Sequence, residues 1–579
     1  MRFPWNTLCL AGTLLLTACA TGVAPPAPGD GWPLHGGDGA GQRHSPLAQI
    51  HRGNVDRLQA AWTFHSGVKG GWQATPIVVG DTMLVSLPFS HVVALDAATG
   101  AERWRYQHPR KPGRLCCGPA NRGVAVAGQR VFVGTVDARL VALDLATGRP
   151  LWDVAVAEAS GAGEAMSQLA ANDPLRREGQ TGATGVGIAM APQVFDGQVI
   201  VGITGVGYGL HSESAVVGMA GGHGRSGVLA SFDQATGAPR WQWQVTQAGW
   251  EGSFRTTTPD GLDLNRDTVA ERAAQARHAQ AWRQGGGSLW ATPAIDAERG
   301  LLFFGTGNPS PQMEDSTRPG DNLHTSSLIA LDARTGKLVW HHQQVPHDRW
   351  GYDVASAPVL FDLPQPGGGS LPAVASASKL GWVYVHDRRD GRLLFRSDAF
   401  VPQNNLFAPP TRAGVVIAPG IAGGANWSPG AYEPASRWLY VPGIDMPTLY
   451  QLRDGQGADG QPLPYVASEF GTARAGTLTA LDLADGGKLR WQQRFDEPVI
   501  GGVLSTAGGL VFAGIAGQRF AAFDSRSGAL LWQARMGAGV NAPSVTYRLH
   551  GRQYVAVAAG GNALFGTAPG DALTAFALP

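Results

Sequence analysis

The stretch Ala94-Leu95-Asp96-Ala97-Ala98-Thr99-Gly100-Ala101-Glu102-Arg103-Trp104 decides the fold. Apolar residues run into Asp96, whose carboxylate is suited to bond nearby backbone amides; Gly100 supplies a positive φ, and a second strand leaves through Trp104. The stretch predicts a β-hairpin. The same pattern returns as Ala142-Leu143-Asp144 to Trp152, Ser231-Phe232-Asp233 to Trp241 and Ala330-Leu331-Asp332 to Trp340. Val385-His386-Asp387 to Phe395, Ala480-Leu481-Asp482 to Trp491 and Ala522-Phe523-Asp524 to Trp532 complete the series of seven.

Between copies lie further strand-like runs, such as Val78 to Val85 and Val199 to Gly202. The repeat unit is therefore predicted to be a four-stranded antiparallel sheet. A sheet of that size cannot bury both faces alone, and one turn-anchored Trp per sheet fits the blades of a β-propeller with Trp-docking-type repeats. The copies are unevenly spaced, so the wide gaps hold insertions or a blade lacking the pattern. With Ala60 to Phe64 able to supply a strand to the sheet formed after Val555, the expected architecture is all-β with eight blades. Beyond residue 30 there is no linker-like stretch, so residues 31–579 are expected to form a single domain. The Ala-rich, charge-dotted segment Asn265 to Gln284 reads as a surface excursion of helical character.

Of 579 residues, 81 are Gly, roughly twice the usual share, and only 15% are charged, as many short strands joined by tight turns require. A formal charge of +1 leaves no bulk field to attract nucleic acid or an acidic membrane surface. At the N-terminus Arg2 precedes an apolar run through Leu8, Leu10, Leu14, Leu15 and Leu16, so residues 1–18 read as an export signal. Leu16-Thr17-Ala18-Cys19 resembles a bacterial lipobox, which implies lipidation of Cys19 and a periplasm-facing, lipid-anchored protein of the bacterial envelope. Cleavage near Ala20 would instead give a soluble periplasmic protein. Residues 19–30, with Pro25, Pro26 and Pro28, read as an extended tether.

Removal of Cys9 and lipidation of Cys19 would leave Cys116 and Cys117. In an oxidising compartment these adjacent residues can pair only with each other or with another chain; two unpaired buried thiols are the plainer alternative. A bond between neighbours closes a small strained ring and staples no long loop, so chain entropy would not explain it.

Leu115-Cys116-Cys117-Gly118-Pro119-Ala120-Asn121-Arg122-Gly123 resembles the pyrroloquinoline-quinone (PQQ) dehydrogenases, the quinoprotein alcohol and glucose dehydrogenase family. The resemblance covers essentially the mature chain. It implies an eight-bladed propeller, a vicinal disulfide forming a flat plate beside the cofactor, and Arg122 on a cofactor carboxylate. Gly285 to Trp290 resembles the segment whose Trp stacks under the quinone, opposite the disulfide. Gly305-Thr306-Gly307-Asn308-Pro309-Ser310-Pro311, continuing to Arg318 through Leu323, implies that Asn308 ligates calcium or a lanthanide. Ser378 to Arg388 resembles the strand whose cation contacts the quinone oxygens, here Lys379, where positive charge would stabilise the reduced cofactor. Gly423-Gly424-Ala425-Asn426-Trp427 resembles the family's Asn-Trp cofactor contact. Outside such runs a Trp is more often core, an Asn more often a turn residue and a Lys more often solvated.

The resemblance breaks at the chemistry. In Asp348-Arg349-Trp350-Gly351-Tyr352-Asp353 the family's general base falls on Gly351, which cannot take a proton, and base assistance is worth about two to four orders of magnitude. Asp353 matches a second carboxylate and is open to three roles: metal ligand, substitute base or turn residue. The expected metal-ligand Glu falls on Gly207 unless the inserted stretch Leu210 to Gly224 returns Glu213 to the site. Gln73 stands at a cofactor-contacting Glu position, and Ile500 where many relatives have Trp. No Cys-x-x-Cys-His run occurs, which predicts no haem and an external electron acceptor such as a cytochrome or quinone. The expected activity is oxidation of a small or polymeric alcohol, polyol or sugar by hydride transfer to PQQ, with Asp353 and Lys379 catalytic. A catalytically silent cofactor-binding or scaffold propeller of the envelope is the alternative. Substrate identity is not coded, because the pocket walls would come from loops such as Pro402 to Pro410 and Asp454 to Phe470.

Overall fold

The computed structural model describes residues 29–109, 120–157, 186–205, 226–312, 315–454, 462, 464–562 and 565–579. In the opening hairpin, Asp96 Oδ1 accepts the N–H groups of Ala98 and Thr99, each at 3.0 Å, and the Thr99 hydroxyl at 2.9 Å. Gly100, at φ +73°, closes the turn by donating its N–H to the Asp96 carbonyl at 2.8 Å. Side-chain acceptor and left-handed glycine thus do the work that the sequence pattern assigns to them.

Glycine has a second reason to stand at the turn. The Trp at the end of each hairpin leaves its own sheet and docks on the turn of the next. Trp104 donates its indole N–H to the Leu145 carbonyl at 2.9 Å, and a β-carbon on Gly148 would lie 2.4 Å from the Trp104 ring. The same contact joins Trp62 to Gly100, Trp152 to Gly237, Trp241 to Gly336, Trp340 to Gly391 and Trp491 to Gly528. Trp532 closes the series by donating to the Leu58 carbonyl at 3.2 Å. Each indole buries a large apolar surface there, and all but Trp241, which donates to Gln198 Oε1 of its own sheet at 2.8 Å, satisfy their one donor on the neighbouring segment, so the docking both holds neighbouring sheets and sets their spacing.

Among the described residues seven sheets have four strands in antiparallel order, and one has five. The first runs Ile77–Val79, Thr82–Ser86, Val92–Asp96, Glu102–Tyr106. Gln59–His65 pairs antiparallel with Ala572–Ala577, so the beginning and end of the described chain share one sheet, as expected from Ala60 to Phe64. The inner strands are buried on both faces, and apolar clusters fill the space between neighbouring sheets: Ile77, Leu84 and Ala94 pack against Val131, Val133 and Val141. The excursion holds a short helix, Thr268–Ala274, capped by Asp267 and burying none of its residues.

A strap over residues 29–50 ties several sheets together, a feature that no repeat announces. Trp32 bridges to Val78, while the carbonyls of Gly39, Ala40 and Gln42 accept the N–H groups of Ile295, Leu360 and Tyr432, each at 2.8 Å. His44–Ser45 then adds a parallel edge to Leu504–Thr506. Arg43 is fully buried and donates to the carbonyls of His35, Val503 and Ser544 at 2.6, 2.9 and 2.6 Å. No helix among the described residues is long and apolar enough to cross a membrane.

Candidate functional site

Arg122 is held by its backbone between chain segments of neighbouring sheets. Its carbonyl accepts the Thr75 N–H at 3.0 Å, and its N–H donates to the Ala189 carbonyl at 2.9 Å. The buried guanidinium donates to the Trp290 carbonyl at 3.0 Å and lies 5.4 Å from the Trp290 ring and 5.7 Å from the Trp427 ring. The Lys379 ammonium stands 5.7 Å from the Trp290 ring. Two cations and two indoles from distant parts of the sequence therefore converge. Trp427 packs with Ala422, Ile444, Met446, Ile500 and Phe565, and Trp290 rests against that cluster. The strap reaches this region too: burial first, then the positive charges of Arg43 and Arg122, hold the His35 pKa down to about 3.

Asp353 and Lys379 form a buried ion pair, Nζ to Oδ2 at 3.1 Å. The Lys379 N–H also donates to the Asp353 carbonyl at 3.2 Å, while the Asn308 N–H donates to Asp353 Oδ1 at 2.6 Å. Thus Asn308 meets Asp353 through its backbone, and its side-chain amide donates to the Pro309 carbonyl at 2.8 Å. Asn426 spends its amide locally, donating to the Ala422 carbonyl and accepting the Trp427 N–H, both at 2.9 Å, which fixes the loop that carries Trp427.

Asp348 has a different task. Its carboxylate accepts the N–H groups of Trp350 and Gly351 at 2.9 Å and of Tyr352 at 2.6 Å, together with the Ser326 hydroxyl at 2.9 Å. Burial pushes its pKa up, opposed by those donors. It ties the turn that delivers Asp353. Within that turn Gly351 has φ +83°, and an added β-carbon would fall 2.3 Å from the Gln312 amide nitrogen. Sequence reading noticed the missing carboxylate and missed the side chain beside it.

The indole N–H groups of Trp290 and Trp427 and Oε1 of Gln73 are buried without hydrogen-bond partners. Such groups cost about 1–3 kcal/mol each when left unmet. Flat aromatic surfaces, unmet polar atoms and two cations fit a planar ligand bearing carboxylates and ring oxygens, which PQQ is. The described residues do not by themselves fit a calcium or lanthanide ion. Hard cations want about six or more oxygens, whereas both Asp353 oxygens already accept, and no group of three or more His, Cys, Asp or Glu side chains is placed to hold a metal among the described residues. Cys116, Cys117, Gly207 and Glu213 lie outside the described residues.

Beside the Trp427 cluster opens a cavity of about 280 Å³, with Ile500, Phe565, Asn541 and Thr567 in its wall and Arg474 and Glu497 among its polar residues. Only Ile500 was marked in the sequence; a smaller residue at a position expected to be Trp was the available signal.

The repeated sheets and the cationic, indole-lined centre match the quinoprotein class of oxidoreductases. Residues 32–405, 399–476 and 470–555 match the PQQ family model described as glucose/ethanol/alcohol dehydrogenase, beta-propeller domain, and the chain belongs to that family. A quinohemoprotein alcohol dehydrogenase of Comamonas testosteroni is 33% identical over 93% of this chain and 73% of its own length. A quinoprotein alcohol dehydrogenase of Pseudomonas putida is 31% identical over 90% of this chain and 84% of its own. The crystal structure of the Comamonas testosteroni enzyme superposes with a TM-score of 0.76 at 30% identity, covering 95% of this chain and 81% of that one. A europium-containing methanol dehydrogenase gives 0.76 at 26% identity, covering 95% and 98%.

One expectation is overturned. The absence of Cys-x-x-Cys-His predicted no haem, yet relatives matched over most of this chain are named quinohemoproteins, haem-bearing enzymes of which this sequence spans 73% and 79%. A missing motif in these residues therefore does not make the working system haem-free.

Proposed function

We propose that this chain is a PQQ-dependent alcohol dehydrogenase in which Asp353, paired with Lys379, takes the hydroxyl proton of the substrate. The observation that carries the reading is the buried Lys379–Asp353 pair at the edge of the Arg122, Trp290 and Trp427 cluster. PQQ, when bound, would supply an electrophilic quinone carbonyl able to take hydride from the alcohol carbon. Arg122 would balance the charge of its carboxylates, and Trp290 and Trp427 would hold its ring system. Lys379 would stabilise negative charge developing at the quinone oxygens. With Gly351 unable to act and Asp348 engaged by its turn, Asp353 is the carboxylate left to receive the proton.

Several features rest on sequence alone. Cys116 and Cys117 are read as a disulfide plate facing Trp290. Residues 31–579 are read as one eight-bladed domain, and the seven four-stranded sheets with the five-stranded one support that count. Export to the envelope with a lipid on Cys19 is the location proposed. Relatives named 1-butanol dehydrogenase (cytochrome c) and alcohol dehydrogenase (quinone) support an alcohol substrate and an acceptor of the cytochrome or quinone type.

The test is an absorbance titration of the purified protein with PQQ, coupled to dye-linked alcohol turnover. Saturable binding with turnover is expected. Binding without turnover would remove the enzyme reading and favour a silent cofactor-binding propeller, the alternative that Gly351 motivates.

A further inference from the structure

Gln312 is the side chain that stands where the missing carboxylate would begin. The ideal β-carbon position of residue 351 lies 2.3 Å from its Nε2 and 3.3 Å from Cγ1 of Ile421. That nitrogen is buried and has no hydrogen-bond partner. The chain around it is pinned: the Ser310 N–H donates to the Gly285 carbonyl at 2.9 Å, and the Pro311 carbonyl accepts from Nε of the fully buried Arg318 at 2.8 Å. The Gly351 N–H is meanwhile committed to Asp348.

We propose that Gln312 is a specificity-determining residue whose amide N–H binds a second oxygen of the substrate, so that the site takes diols and polyols in preference to simple alkanols. The inference rests on the reading of this centre as an alcohol-oxidising site. With no side chain at residue 351, Gln312 places its amide there, and the protein offers that donor no acceptor of its own. A desolvated donor without a partner is costly, and the cost is relieved when a ligand oxygen arrives. The oxidised hydroxyl is served by Asp353, so the oxygen on Gln312 is a different one. A site that hydrogen-bonds a substrate oxygen discriminates against the analogue that lacks it, by about tenfold for one neutral bond worth about 1.4 kcal/mol.

The experiment compares propylene glycol with n-butanol, equal in heavy atoms, on PQQ-loaded wild type, Gln312→Leu and Gln312→Met. Wild type is expected to favour the diol in kcat/KM. Gln312→Leu is expected to lower kcat/KM for the diol about tenfold, through KM, while n-butanol stays within about twofold. Gln312→Met, of equal length and without an N–H donor, also loses the diol and guards against a Leu variant that fails to fold. Thermal melts give a readout apart from turnover: the diol raises the Tm of wild type and not that of either variant. Equal loss on both substrates, or no change on either, overturns the proposal while leaving the dehydrogenase reading intact. A wild type that neither binds PQQ nor oxidises either alcohol overturns that reading and this one with it.

Discussion

The Lys379 ammonium lies 3.1 Å from Oδ2 of Asp353, and each side chain is only 7% exposed. Two opposite charges buried together compensate one another's lost hydration, and removing one strands the other. Lys379→Met is therefore expected to lower stability by about 3–5 kcal/mol. Asp353→Asn is expected to reduce turnover by about two to four orders of magnitude with PQQ affinity largely kept. Thermal unfolding, PQQ titration and dye-linked turnover on each variant check this. Full turnover in Asp353→Asn would move the base elsewhere.

Restoring a carboxylate at residue 351 is less simple than the sequence suggests. Gly351 sits at φ +83°, and its β-carbon would collide with the Gln312 amide. Gly351→Asp alone is expected to lose about 1–3 kcal/mol from the strained backbone and to gain no activity. Combining it with Gln312→Ala frees the volume and is expected to raise turnover of n-butanol above that of either single variant. A gain in Gly351→Asp alone would mean that Gln312 swings aside freely.

The hairpins were legible because each is local: Asp96 and Gly100 reach one another within a single turn, so the pattern carries its own geometry. The docking of Trp104 on Gly148 was half legible, since the sequence shows both residues but not that one belongs to the other's neighbour. Arg122, Trp290, Lys379 and Trp427 were readable only through motifs, because contacts between them depend on ring closure and on no periodicity. Gln312 and the strap through Arg43 carried no motif. Their roles arise from what packs against them, which a sequence without tertiary contacts does not encode in any readable spacing.

Outside the site, the buried His386 and its partly buried neighbours make stability depend on pH. The His324 ring lies 4.3 Å from that of His341, and the His342 ring 4.2 Å from that of His386. Burial is the main cause in each case, holding His324 and His342 at about 4 and His386 well below its ordinary value; the His341 charge lowers His324 further, Arg255 lowers His342 against a smaller opposing pull from Asp260, and His342 lowers His386. Because the folded values lie below the unfolded one, the unfolded chain binds more protons as the medium acidifies. The stabilisation is fully present above about pH 6.5 and drains away as pH falls toward 4, with His324 and His342 each accounting for roughly 3 kcal/mol at the acid end. Tm should therefore fall steeply across that window. His342→Phe keeps a ring against His386 and Tyr384 while deleting one titrating group, so its Tm should fall less between pH 6.5 and 4 than that of wild type. Parallel Tm–pH curves for the two proteins would show that His342 is not among the groups that set acid sensitivity.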